Sequence, residues 1–243
     1  MNKPTLEIAA NSVASALAAE AGGAARVELC SALEVGGLTP SHAAIAIAIE
    51  RLRIPVHVLI RPRSGDFVFD DLECDVMQRD VEMCKSLGCA GVAIGVLTTK
   101  GDVDAARCRV LMDAARGMSV TFHRAFDFAR DPERALEAII ALGCDRLLTS
   151  GQAADALSGT PLIRGLIELA RGRITVMPGG GIDACNIAAI RDATGALEFH
   201  ASAKRRGAPR MRIAQARIGN MDECNWETAA DGVRERIEAL RRQ

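Results

Sequence analysis

One alternation runs through most of this chain and limits what it can fold into. Short runs rich in β-formers alternate with longer Ala- and Leu-rich amphipathic stretches. The runs are Leu6–Ala9, Arg26–Cys30, Val56–Ile60, Gly91–Gly95, Val120–Phe122, Arg146–Thr149, Ile174–Met177 and Leu197–His200. They recur at intervals of roughly 20–36 residues, the length of one strand plus one crossover helix. Eight such units with short connections, in a chain of 243 residues, point to an α/β fold. A single-domain (β/α)8 TIM barrel is expected, rather than an open doubly wound sheet. The barrel should occupy about residues 5–203, with a basic tail segment and a C-terminal helix over 204–243. No composition shift marks a second domain.

Local signals agree with this division. Thr39-Pro40 and Asp131-Pro132 read as helix N-caps followed by Pro in the first turn. Asp70 or Asp71 can cap the third helix, and Asp183 the seventh. Leu87-Gly88-Cys89 and Leu142-Gly143-Cys144 repeat one pattern between a helix and the next strand. Gly suits the left-handed position that ends a helix.

Composition excludes several functions. Aromatics are 3% of the chain, with no Tyr and one Trp, so the core should be aliphatic. A stacking platform for single-stranded nucleic acid is not expected. The formal charge of −1 gives no strong field for nucleic acid or membrane. No apolar run reaches the ~18 residues of a membrane span, and no secretory leader is evident. A cytoplasmic protein with its eight Cys reduced is expected. No CxxC pair occurs, which argues against a structural zinc knuckle.

In this fold the chemistry collects at the C-terminal ends of the strands, and those ends are polar here. They carry Glu7, Glu28, Cys30, Arg61, Arg63, His123, Arg124, Ser150, Glu198, His200 and Ser202. Charged groups in strands cost several kcal/mol unless paired, so these should point into the barrel mouth and neutralise one another. As a site they offer Glu28 or Glu7 as base, His123 as acid and Arg61 as clamp. As structure they offer an ion-pair network, and the two can coexist. Gly179, Gly180 and Gly181 follow the seventh strand, where backbone N–H groups can cradle an anion. Long Gly-bearing loops at 31–41 and 62–71 are candidate lids. Phe67 and Phe69 on the second are candidate exposed subunit contacts. The acid-free run of Lys204, Arg205, Arg206, Arg210, Arg212 and Arg217 could meet phosphate or pair with an acidic surface. Cys89 and Cys144 fall in helix-to-strand loops; Cys74, Cys84, Cys108 and Cys185 fall on helices; Cys224 falls in the tail. Cys30 alone lies at the C-terminal end of a strand, where a thiolate can bind a soft ion such as Cu(I), with His123 or His200 beside it.

Several of these segments resemble the CutC family. They are LEIAANS at 6–12, RVELCSALEVGGLTPS at 26–41, IPVHVLIRPRSGDFVF at 54–69, VTFHRAFD at 120–127, LLTSG at 147–151, VMPGGGI at 176–182 and EFHASA at 198–203. The resemblance implies a cytoplasmic TIM barrel of copper homeostasis, with Cu(I) binding at Cys30 and homo-oligomer formation. It also brings in a metal-dependent deoxyribonuclease as an alternative. Where some members carry Cys or Ser in the last motif, this chain has Ala201, so a second thiol ligand is missing. The residues themselves favour a further alternative, an enzyme acting on a small anionic or phosphorylated metabolite.

Overall fold

A computed structural model describes residues 3–208 and 225–242. Eight parallel strands and their crossover helices follow in strict order. They are β1 (Thr5–Ala10), α1 (Val13–Ala21), β2 (Arg26–Leu29), α2 (His42–Arg51), β3 (Val56–Leu59), α3 (Asp71–Ser86), β4 (Gly91–Ile94) and α4 (Ala105–Ala114). Then come β5 (Ser119–Phe122), α5 (Pro132–Leu142), β6 (Arg146–Thr149), α6 (Thr160–Ala170), β7 (Thr175–Pro178), α7 (Ile187–Thr194) and β8 (Glu198–Ala201). Each strand pairs with its sequence neighbour, and β1 also pairs with β8. A parallel bridge between Gly179 and His200 joins β7 to β8 and closes the barrel. The chain ends in an antiparallel pair, β9 (Lys204–Arg206) with β10 (Trp226–Thr228), and a helix, α8 (Ala230–Arg241).

Strand side chains alternate, and the register aligns like with like. Ile8, Val27, Val56, Val92, Val120, Leu147, Val176 and Phe199 belong to the outward face and are buried under the helices. This core is less purely aliphatic than composition suggested. Phe69, Phe122, Phe126 and Phe199 are among its largest fully buried side chains. The few aromatics are concentrated inside, with Phe128 left exposed.

Helix ends refine the sequence reading. Asp131 caps α5 by accepting the Arg134 N–H, with Pro132 in the first turn, as expected. Ser41, not Thr39, caps α2. The Thr39 hydroxyl is engaged elsewhere, accepting the Arg61 N–H. Asp183 accepts from Cys185 and Asn186 in a turn that precedes α7, so Cys185 lies before the helix and is exposed. Asp70 makes a full capping box at α3: it accepts the Glu73 N–H while Glu73 accepts the Asp70 N–H. Two orphan helix donors are satisfied reciprocally by this arrangement. Asp70→Ala should therefore lower unfolding stability by about 1 kcal/mol in urea titration.

Candidate functional site

Every barrel strand but β4 turns at least one polar side chain inward. Arg26 on β2 donates to Glu7 on β1, and its second arm donates to Glu198 at 2.9 Å. Arg146 on β6 reaches the same Glu198 at 2.7 Å and Ser119 at 2.7 Å. The other oxygen of Glu7 accepts from His200 Nδ1 at 2.7 Å. His200 Nε2 then faces Glu28 at 3.8 Å. A chain of alternating charge thus climbs the interior from Glu198 through Arg26, Glu7 and His200 to Glu28.

This order sets the protonation states. Burial alone would raise the pKa of Glu7, but the His200 hydrogen bond and the Arg26 charge outweigh it and hold Glu7 well below the carboxylate range. Burial opposes charge on His200 too, yet Glu28 and Glu7 raise its pKa above the ordinary value. No arginine forms an ion pair with Glu28 among the described residues. Burial raises its pKa and the Glu7 charge adds to the rise. The His200 and Arg26 charges lower it only in part, leaving a pKa of about 7. A carboxyl poised near neutrality is suited to acid–base work.

Two histidines complete the interior. Burial lowers His57 to about 4 and His123, with the Arg61 charge adding, to about 3, so both rings are neutral. They fold across β4, which offers no side chain to obstruct them. A Cβ at Gly91 would lie 2.6 Å from His57 Nε2, and one at Gly95 2.5 Å from the His123 ring.

Above this lies a cavity of about 410 Å³ at the C-terminal mouth. Glu28, Arg61, His123, Arg124, His200 and Ser202 line it, with Gly180 and Gly181 on the β7 side. Lys204 and Phe67 also line it; the sequence had placed Lys204 only in a basic run. Arg124 is braced by Asp127 at 2.7 Å and Ser150 at 2.9 Å, and still exposes 44% of its side chain. Asp127 also accepts the Ser150 and Gln152 N–H groups, which ties the loops after β5 and β6 together. Gly180 has a φ of +104°, which disfavours a side chain there, and its backbone lies close beside the Arg124 guanidinium.

Other expected site residues lie elsewhere. Glu7 is below the cavity, behind His200. Arg63 binds Glu73, Asp66 and the Val68 carbonyl, organising its own loop. Arg61 lines the mouth, but its terminal nitrogens donate to the Val35, Gly37 and Gly65 carbonyls, so it ties loops together rather than standing free as a clamp. Gly179 forms the closing bridge. Phe67 and Phe69 are buried, not exposed: Phe67 lies against Arg61 and His123, and Phe69 under Arg63. Of the basic run, Lys204 lies over the Trp226 ring and Arg205 pairs with Glu227. Arg210, Arg212, Arg217 and Cys224 lie outside the described residues. The sequence reading missed Arg26 and Arg146 as partners for the buried carboxylates. Their signal was parity, since Arg26 shares a strand face with Glu28.

A larger cleft of about 490 Å³ lies at the opposite end, lined by Lys3, Thr5, Thr175 and Glu198. Its carboxylate is already paired with Arg26 and Arg146, and that end of the fold carries stability rather than chemistry. No described helix is long and apolar enough to cross a membrane.

Known proteins give a consistent comparison. The model of the CutC family matches residues 4–205. A family protein CutC from Chromobacterium violaceum is 54% identical over 240 residues, covering 97% of each chain. One from Xanthomonas axonopodis pv. citri is 61% identical over 199 residues, covering 82% of this chain and 83% of that one. The crystal structure of CutC from Streptococcus agalactiae, a protein named for copper homeostasis, aligns with a TM-score of 0.79 at 33% identity. That alignment covers 82% of this chain and 98% of the streptococcal one.

The raised pKa of Glu28 has a sign that can be checked. A carboxyl whose folded pKa exceeds its unfolded value contributes stability below the unfolded value, near 4.5, and loses it as pH rises through about 7. Glu28→Gln should therefore be more stable than the parent at pH 8, by about 3 kcal/mol. The gain should vanish below pH 4.5. A difference that is the same at pH 4 and pH 8 in chemical denaturation would contradict the assignment.

Proposed function

The chain belongs to the CutC family, and we propose that its barrel mouth is the active site of an enzyme that moves protons on a small anionic metabolite. The observation that carries this reading is the charge balance of the cavity. Arg61, Arg124, Lys204 and His200, whose pKa is raised, line the cavity with one carboxyl, Glu28, which is itself poised near neutrality. Such a surface attracts an anion and can exchange a proton with it. Glu28 is the acid–base group. Glu7 positions and charges His200, and so helps set the proton affinity of Glu28. Arg124, held from behind by Asp127 and Ser150, meets the anionic group beside the Gly180–Gly181 backbone.

Copper is implied by the name of the streptococcal relative, and the residues around Cys30 do not fit Cu(I). The thiol contacts the Ala10 carbonyl at 3.6 Å and packs with Leu59 and Ala93. Burial, with the Glu28 and Glu34 carboxylates adding, pushes its pKa well above the ordinary value, which disfavours the thiolate a metal needs. Among the described residues, the cluster that could hold a metal is Glu7, Glu28 and His200. Its donors are oxygen and nitrogen, a poor match for a soft monovalent ion, and Glu7 already has both oxygens engaged.

Two measurements test this reading. In a thermal-shift panel of small phosphates and carboxylates, at least one should stabilise the protein. At a hundredfold its Kd a ligand adds about 2.7 kcal/mol. Arg124→Ala should abolish the shift. A panel without effect, or a shift that persists in Arg124→Ala, would count against the site. Any Cu(I) uptake, followed by competition with a chromophoric chelator, should be unchanged in Cys30→Ser.

A further inference from the structure

Two polar groups among the described residues that line the mouth are left without partners, and both side chains touch the Phe67 ring. His123 Nδ1 accepts the Ala125 N–H at 3.1 Å, which assigns the ring proton to Nε2. Among the described residues Nε2 has no hydrogen-bond partner, although it is buried. Arg61 Nε is likewise buried and unpartnered. Both side chains line the cavity that contains Glu28. Both lie against one ring, with Phe67 4.9 Å from the Arg61 guanidinium and 5.3 Å from the His123 ring.

Native proteins rarely leave buried polar groups unsatisfied, and each exception calls for a cause, a catalytic role among them. His57 Nδ1 and Thr121 Oγ1 are also unpartnered among the described residues, but those residues do not line the cavity. Neither His123 nor Arg61 is free to turn away. His123 is held by Ala125 and by the open lane at Gly95, and Arg61 by three backbone carbonyls. Each donor is thus held in place before any acceptor arrives, as a group that stabilises developing negative charge must be. A neutral imidazole is suited to this, since it donates to the oxyanion without first surrendering a full proton.

We propose that His123 Nε2–H and Arg61 Nε–H receive the carbonyl oxygen of the substrate, and that the reaction is enolisation of a small aldehyde or ketone bearing an anionic group. The inference rests on the proposed anion site and names its substrate class. Glu28, as carboxylate, takes the proton from the carbon next to the carbonyl. The C–H electron pair becomes the carbon–carbon double bond, and the carbonyl π pair moves onto oxygen as an enolate held by His123 and Arg61. Return of a proton from Glu28 restores a carbonyl compound. No oxidant or further reactant is needed. Phe67 covers the donor pair, so its ring must shift as the carbonyl enters.

The test is proton–deuterium exchange in D2O, followed by NMR, with dihydroxyacetone phosphate, pyruvate and 2-oxobutyrate as probes. Glycerol 3-phosphate and lactate, which lack the carbonyl, serve as controls. At least one carbonyl probe should lose its α-protons to solvent and the controls should not. Glu28→Gln should abolish exchange. His123→Phe, which keeps a ring and removes the donor, should slow it by about 10²–10³-fold. His123→Gln, which restores a neutral donor, should recover part of the rate. Circular dichroism establishes that each variant is folded. Exchange with none of the carbonyl probes, or exchange undiminished in His123→Phe, overturns the inference. If an Arg124-dependent thermal shift is present at the same time, the failure belongs to the enolisation step and not to the anion site.

Discussion

Everything at the mouth of this barrel depends on keeping one carboxylate charged where water cannot reach it. Glu7 is 3% exposed within a closed ring of strands. An ionised group there costs several kcal/mol unless both oxygens are met by charged or polar hydrogens. Arg26 meets one and His200 the other. The pairing needs β1 flanked by β2 on one side and β8 on the other, which an open sheet ordered by sequence would not provide. Closure of the barrel and the charge state of its interior are therefore one arrangement.

From that carboxylate the effects pass upward. Glu7 charges His200, and His200 limits how far burial can raise Glu28. Glu28 is left neutral for part of the time, in a cavity whose lining, among the described residues, holds no other carboxyl. The loops obey the same economy of partners. Asp127 collects the Arg124 guanidinium and the backbone of the loop after β6, while Arg61 collects carbonyls from the loops after β2 and β3. The rim is held by polar side chains reaching across loops, and the apolar core lies outside the barrel wall.

Much of this was legible in the chain. Outward positions repeat every second residue with Val, Ile and Leu, so all eight strands were located to within about two residues. The polar strand ends announced that charge had been drawn inward. Other features were not legible because they depend on contacts distant in sequence. Arg26 and Glu198 are 172 positions apart, and only the β1–β8 closure brings their neighbourhoods together. Thr39 looked like a helix cap because its competing partner, the Arg61 N–H, comes from another unit. Phe67 looked exposed because nothing local shows that Arg61 and His123 flank its ring. The Ala201 substitution pointed away from a two-thiol centre, and the burial of Cys30 among apolar side chains is in keeping with that.

The inward face of β4 carries Gly91, Ala93 and, just beyond the strand, Gly95. Two imidazoles occupy the room so released. One strand out of eight therefore contributes volume instead of functional groups. In a barrel where ion pairs join β1, β2, β6 and β8, that strand sets where the two rings can stand. A methyl group added at Gly95 would fall within 2.5 Å of the His123 ring and displace it from the mouth, with no charge added or removed.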